Sequence, residues 1–550
     1  MFAYYLVLTL VAVRLTWPML WKRLLDMSTE KETAMYDAER FTQLDLALRQ
    51  GKSDKGKPKK RSGTCVIAGG GVAGCMMAAV ATRHYERVVI VEPCQSNDSW
   101  RNFIKQYDQL HNFSPFTVES LQRIWPGLFR EEVLKRGGRF ARYETVRFEF
   151  WLNKARVDWD SNVDKFGPTG DDCLMMNRPG LQAVIGDLTK LHTPGVEFVY
   201  GKVTGASLGK DDDALIDRVH VKTASGEGKW LDCQLFIDCS GAARVYKNIL
   251  KVLSNPRFEA PKVEEYQMNV SYSTALIDVD ETIARRLPLP ESLEPGWGKI
   301  TNVLLTAPTL TSGSSYALMT HTDGNKYYLA AMKYDTTPDM MPKKLDHFRQ
   351  HVKEAYAANT DQDIGSWFDE TIDLLQENED LTEQKAHFRQ ARDSDSYVTV
   401  IDARNRKLPH NLVLVGDSFS KLNPAFGQGT HKAMSDCLTL SASLSKFDNV
   451  KDVARDFDAR RNPRSYGLFD FNRAMDLASP DIQKLNPKIP VTQGKELRSL
   501  LGGLLKYIHR FGHEDHSVGN CLFAVMFGSK GSLALMHPRI LYAAVRGSFM

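Results

Sequence analysis

Apolar residues run almost unbroken from Phe2 to Trp21, in "FAYYLVLTLVAVRLTWPMLW", and then stop. A run of about 20 such residues matches the hydrocarbon thickness of a bilayer. Tyr4, Tyr5, Trp17 and Trp21 sit near its two ends, where interfacial aromatics belong. Lys22 and Arg23 follow at once, a bias that places the downstream chain in the cytoplasm. Arg14 interrupts the run, and a mid-bilayer arginine costs about 2.5–3.5 kcal/mol on insertion scales. Either its side chain snorkels or the helix lies in the interface. The pattern predicts a single-pass membrane anchor over 1–25, the alternative being a buried or disordered N-terminal helix. A cleaved signal peptide would carry its charge before the apolar run and small residues after it, and neither is present.

The pattern then turns polar. Residues 26–63 read as a charged linker, helical in places up to Gln50, and ending in "GKSDKGKPKKRSG" from Gly51 to Gly63. That basic tract is a solvated tether or a holder of anionic lipid headgroups. From Thr64 the pattern becomes strand, glycine turn, helix and strand, "CVIAGGGVAGCMMAAVATRHYERVVIVEP" over Cys65 to Pro93, the length of a βαβ unit. Short β patterns follow from Val196, from Asp217 and in "WLDCQLFIDCSG". A second β-rich block follows from Tyr266 and from Ser314. The latter holds Asp323-Gly324-Asn325 between two strand-like runs, a hairpin signal. Leu345 onward reads as helix, and so does much of the chain after Thr430.

Composition narrows the classes. With 550 residues, 43% hydrophobic and 25% charged, the chain has ordinary globular make-up. A formal charge of +4 supplies no concentrated basic face, which argues against nucleic acid as a partner. The 8 cysteines form no C-x-x-C pair, so zinc and thioredoxin-like chemistry lack their spacing. Buried free thiols in a reducing compartment are the plain reading.

Candidate chemistry starts at the glycines. Gly69 permits a tight turn off the strand, Gly71 lets backbone approach a pyrophosphate, and Gly74 lets the helix pack close to the strand. Glu92 ends the next strand, where a carboxylate suits the hydroxyls of an adenosine ribose and repels a 2′-phosphate. The bound nucleotide is therefore FAD or NAD rather than NADP; a glycine-rich turn with no ligand is the alternative. A second stretch, "NLVLVGDSFSKLNPAFGQGTHKAMSDCLTL" from Asn411, is a buried strand, Gly416-Asp417, a loop, Gly427-Gln428-Gly429 and a helix.

That second stretch resembles the GD signature of the FAD-dependent monooxygenases and epoxidases, the group A and E flavoprotein monooxygenases, with squalene epoxidase a more distant relative. The resemblance implies that Asp417 meets the ribityl chain of FAD. It also implies that Gly427 and Gly429 meet the flavin edge at a helix N-terminus, where an anionic reduced flavin is stabilised. "RNFIKQYDQLHNF" places Arg101, Gln106 and His111 on a segment similar to one in relatives. Arg178 in "MNRPGLQAVI" is similar to an arginine lying against FAD, and the backbone of Val203 is implied to meet adenine. "LFIDCSGAARVYKNIL" resembles another family segment, with Asp238 and Gly241, but its expected arginine is displaced to Arg244. His111 and His431 are candidate acid–base groups, a structural role being the commoner one. Tyr272, in a strand of the second β block, reads as core or pocket lining.

The resemblance covers Thr64 to Arg546. It implies an α/β fold, with a Rossmann-like FAD-binding domain, an inserted β-sheet-rich substrate domain and a helical C-terminus. The expected parts are 64–195, 196–245 and 401–445 for FAD, 246–400 for substrate and 446–550 for the helical region. The implied reaction inserts one oxygen atom from O2 into a lipophilic alkene, terpenoid or polyketide. NADPH or NADH would be a transient donor, or a reductase partner would supply electrons. A flavin-dependent halogenase, a prenyl-chain reductase and a membrane-tethered flavin-binding scaffold remain as rivals. The W-x-W-x-I-P segment of halogenases is missing; "PGWGKI" at Pro295 does not match it.

Overall fold

The computed structural model describes residues 16–17, 19–20, 34–50, 60–94, 107, 109, 111, 113–142, 149–152, 155–156, 172–210, 212–288, 304–306, 315–321, 326–359, 363–490, 492–512, 514–526 and 532–550. Most of 1–25 lies outside them, and so does Arg101. No described helix is long and apolar enough to cross a membrane.

Seven strands form the first sheet, in the order Leu412–Leu414, Leu235–Asp238, Arg61–Ala68, Tyr85–Glu92, Val196–Leu208, Ile216–Thr223 and Gly228–Asp232. The first five pair in parallel, and the last two continue as an antiparallel meander. The unbroken apolar runs have a simple cause. Cys65, Ile67, Val88 and Ile90 face one core, and Val66, Ala68, Val89 and Val91 face another. A parallel sheet covered on both sides needs apolar residues at every position. The helices Val72–Ala81, Arg178–His192 and Gly429–Lys446 pack on the first of these faces.

The second sheet has eight strands, in the order Ser420–Lys421, Arg389–Thr399, Val263–Asp278, Lys326–Lys333, Ser315–His321, Leu304–Thr306, Glu149–Leu152 and Ala155–Arg156. Alternation along its central strand divides its faces. Ala275, Ile277, Leu329 and Ala331 pack on Phe348, Phe368 and Leu375 of two covering helices. Tyr266, Met268, Tyr272 and Met332 join the core that lies under the first sheet. The strands flanking Asp323-Gly324-Asn325 pair antiparallel, as a hairpin does; the turn itself lies outside the described residues.

Two stretches depart from the expected division. Residues 26–63 are not linker throughout. Ala34–Arg49 is a helix with Ala38 and Phe41 buried in the first core, and the first strand begins at Arg61. Its Asp37, also buried, accepts from Thr439 Oγ1 at 2.8 Å and pairs with Arg460. A polar-looking segment docks because partners some 400 residues away neutralise its acid. Glu149–Leu152, within the expected first FAD segment, instead extends the second sheet, parallel to Leu304–Thr306.

Candidate functional site

The carboxyl ends of the parallel strands converge on one edge, the place where open α/β sheets bind ligands. The Arg61–Ala68 strand leaves through Gly69 at φ +100, and a Cβ there would meet Cys239 O at 2.7 Å. A Cβ on Gly74 would sit 1.8 Å from Gly69 O, so helix and turn touch backbone to backbone. Gly71 differs, since its Cβ would meet nothing within 4 Å. It caps the Val72–Ala81 helix without a side-chain hydrogen bond, leaving first-turn N–H groups for an anion. Glu92, buried at the end of the next strand, accepts from Gly70 N at 2.5 Å. This bond was not foreseen from sequence and ties the acid to the glycine turn itself.

The second motif abuts the first. Gly416, at φ +65, would carry its Cβ 3.4 Å from Ala73 Cβ and 3.8 Å from Ala433 Cβ. Its N–H donates to buried Asp436 at 3.0 Å. Asp238 pins the neighbouring strand end: its carboxylate accepts from Ser240 N at 2.9 Å and Tyr246 N at 2.7 Å, and its carbonyl accepts from Val415 N at 3.0 Å. Asp417 lies at the rim with its side chain 46% exposed, 3.4 Å from Lys432 Nζ, and its carbonyl accepts from Tyr397 OH at 2.8 Å. The guanidinium of Arg244 lies 4.1 Å from the Tyr397 ring centroid. Gly427 turns the chain at φ +64, and Gly429, with nothing within 4 Å of its Cβ position, opens the Gly429–Lys446 helix.

These residues fit an extended dinucleotide. Two helices present N-termini without side-chain caps, and each has a glycine that leaves room for a ligand. At the second, Thr430 Oγ1 is buried with no hydrogen-bond partner among the described residues. Val203 lies three residues beyond Tyr200, which registers with Glu92, and the ladder slips between Val203 and Gly205. Arg178 stands in the first turn of its helix, behind the Asn177 cap that accepts from Gly180 N at 2.7 Å. Its charge reaches His111. Burial first, then Arg178, pulls that imidazole down to about 3. Burial, aided by Arg464, pulls His431 down to about 3 as well. Both rings are held uncharged at neutral pH and pack on Phe113 and Phe116 respectively, so neither brings a positive charge to the site. Among the described residues no His, Cys, Asp and Glu cluster could hold a metal ion.

Replacing Glu92 with Ala is expected to weaken FAD binding by about 1–3 kcal/mol, roughly 5- to 150-fold, because buried donors lose their acceptor. Flavin titration of the apoprotein measures this; unchanged affinity would remove Glu92 from the site.

A buried polar cluster behind the second helix end gave no sequence signal. Asp476 accepts from Tyr266 OH at 2.6 Å, from Tyr334 OH at 2.8 Å and from Asn423 Nδ2 at 2.9 Å on each oxygen. Asn423 N donates to Asn472 Oδ1 at 3.2 Å, and Asn472 Nδ2 donates to Gln428 Oε1 at 2.8 Å, beside Gly427 and Gly429. Burial pushes the Asp476 carboxyl up from 3.8 to about 6, its hydrogen bonds opposing. A carboxyl raised above its unfolded value contributes stability that is full below about pH 4 and is lost as pH rises through about 6. The swing is roughly 3 kcal/mol. Denaturant unfolding should therefore show this fall between pH 4 and 6 in the wild type and a flatter profile in Asp476→Asn. Parallel profiles would show that Asp476 does not titrate there.

No family model matches the chain, and no curated protein sequence matches it. Solved structures do. A flavoprotein/dehydrogenase from Cytophaga hutchinsonii aligns with a TM-score of 0.53 at 12% identity, over 89% of this chain and 98% of that one. PqsL from Pseudomonas aeruginosa, named a probable FAD-dependent monooxygenase, aligns with a TM-score of 0.52 at 15% identity, over 78% and 99%. A 2-methyl-3-hydroxypyridine-5-carboxylic acid oxygenase aligns with a TM-score of 0.50 at 13% identity, over 79% and 98%.

Proposed function

We propose that this chain, whose fold is that of the FAD-dependent monooxygenases, is itself one of them and oxidises a lipophilic substrate. The observation that carries the reading is the meeting of two uncapped, glycine-opened helix ends, at Gly71 and Gly429, on one edge of the parallel sheet. FAD would be held by the Gly69–Gly74 turn and Glu92 at its adenosine end, and by Asp417, Gly427 and Gly429 at its flavin end. Val203, Arg178 and Arg101 are assigned to the same cofactor. When bound, FAD supplies electron transfer and the activation of O2.

The chain's own residues supply the setting. The Gly429–Lys446 helix end stabilises negative charge next to it. Asp238, Ser418 and Asp436 hold the GD turn in register with the first motif through the bonds to Val415 and Gly416. The apolar face of the second sheet excludes water. No side-chain nucleophile is required. NADPH or NADH is the proposed donor, bound transiently or acting through a reductase. Residues 1–25 are proposed to tether the body to the cytoplasmic face of a membrane, which would concentrate an apolar substrate. A chain lacking 1–25, which keeps the docked Ala34–Arg49 helix, should leave the membrane fraction; persistent pelleting would refute the tether.

An 18O2 experiment with purified chain, NADPH and candidate alkenes tests the reaction. One labelled oxygen in an epoxide or alcohol is the expected result. Product formed under anaerobiosis, or a halogenated or saturated product, would overturn it.

A further inference from the structure

Three tyrosines, Tyr266, Tyr272 and Tyr334, lie together in the core between the two sheets, near the loop leading to Gly427. Two are satisfied, since Tyr266 and Tyr334 both donate to Asp476. The third, Tyr272, is only 9% exposed, and its hydroxyl has no hydrogen-bond partner among the described residues. Asp476 is engaged elsewhere: its oxygens accept from Tyr266, Tyr334 and Asn423, and Tyr272 is not among their donors. Asp393, the other acid that acts on Tyr272, takes Lys421 Nζ at 2.7 Å.

From this arrangement we propose that the Tyr272 hydroxyl orients the substrate, donating a hydrogen bond to an acceptor oxygen on an otherwise apolar molecule. The proposal rests on the monooxygenase reading above and names what its substrate must carry.

Four points support it. Leaving a buried hydroxyl unpaired costs about 1–3 kcal/mol, so an acceptor from outside the chain is worth that much at this position. The strand registers place Met332 on one side of Tyr272 and Ala391 on the other, neither of which offers a side-chain oxygen. The body carrying the acceptor is therefore apolar where it meets the sheet. Burial, with Asp393, Tyr334 and Asp476 adding to it, pushes the phenol up from its ordinary value, so the group keeps its proton and has it to donate. The position is also right. Tyr334 and Asp476 lead through Asn423 and Asn472 to Gln428, the cap residue of the helix assigned to the flavin.

Tyr272→Phe removes the oxygen and keeps the ring, and the fold loses no described hydrogen bond. Calorimetric titration with geraniol and with 2,6-dimethylocta-2,6-diene, the same skeleton without its oxygen, gives the test. The wild-type full chain should bind geraniol about tenfold more tightly than the diene, in keeping with one hydrogen bond. Tyr272→Phe should lose that preference by weakening geraniol alone, with unchanged flavin content and thermal midpoint. A preference that survives Tyr272→Phe, a wild type with no preference, or one that binds neither probe would each overturn the assignment. Calorimetry reads binding with or without flavin. A colourless protein would therefore refute the cofactor reading, separately from the outcome at Tyr272.

Discussion

Gly74→Val is expected to abolish flavin retention and to destabilise the body by more than the usual overpacking cost of about 1–3 kcal/mol. A Cβ at residue 74 would lie 1.8 Å from Gly69 O and 2.9 Å from Gly69 C. Those atoms are backbone, and Gly69 is itself wedged against Cys239 O, so the turn has nowhere to retreat. Either the helix lifts from the sheet or the turn opens, and both destroy the cradle at the strand ends. Gly71→Ala is the informative companion. Its Cβ meets nothing within 4 Å, and its φ of −71 suits any residue, so the apoprotein should be as stable as wild type. It should still lose flavin, because the space it fills is the ligand's. Flavin absorbance and urea unfolding of both variants test the pair. A flavin-loaded Gly74→Val would refute the close contact, and a flavin-loaded Gly71→Ala would show that no ligand approaches there.

Asp458→Ala is expected to cost about 3–5 kcal/mol, the usual loss when one partner of a buried ion pair is removed. Asp458 is fully buried between two guanidiniums, with Arg406 Nε at 2.6 Å and Arg461 Nη2 on its other oxygen. Arg461 is fully buried as well. It donates to Leu414 O at 2.8 Å and lies 3.3 Å from the centroid of the Phe419 ring. Removing the acid leaves two buried cations beside the strand that feeds the GD turn, so flavin affinity should fall along with stability. Asp458→Asn, which retains an acceptor, should lose less. Unfolding midpoints decide it. A loss below about 1 kcal/mol would show that water reaches the cluster and screens it.

Parts of the fold whose cause is local could be read along the chain. A strand buried on both faces reads as an unbroken apolar run, and a left-handed turn asks for glycine, so Gly69 and the Val88–Val91 strand were visible at once. A helix start after Gly427-Gln428 was visible for the same reason, and the order of the two motifs along the chain pointed to a flavoprotein fold. Tertiary structure decided whatever depends on partners far apart in sequence. Glu92 was expected to serve a ribose, but its bond to Gly70 emerges only when two strands lie side by side. Asp238 belonged to a family segment, yet it proves to be a staple whose acceptors are filled by the chain's own N–H groups. That His111 and His431 are held uncharged follows only from their burial in the folded chain. The docking of the Ala34–Arg49 helix, the Asp458 pair and the Asp476 cluster carried no pattern. A charged residue in a sequence reads as solvated, and only a neighbour 50 to 400 positions away, brought within 3 Å, makes its burial affordable.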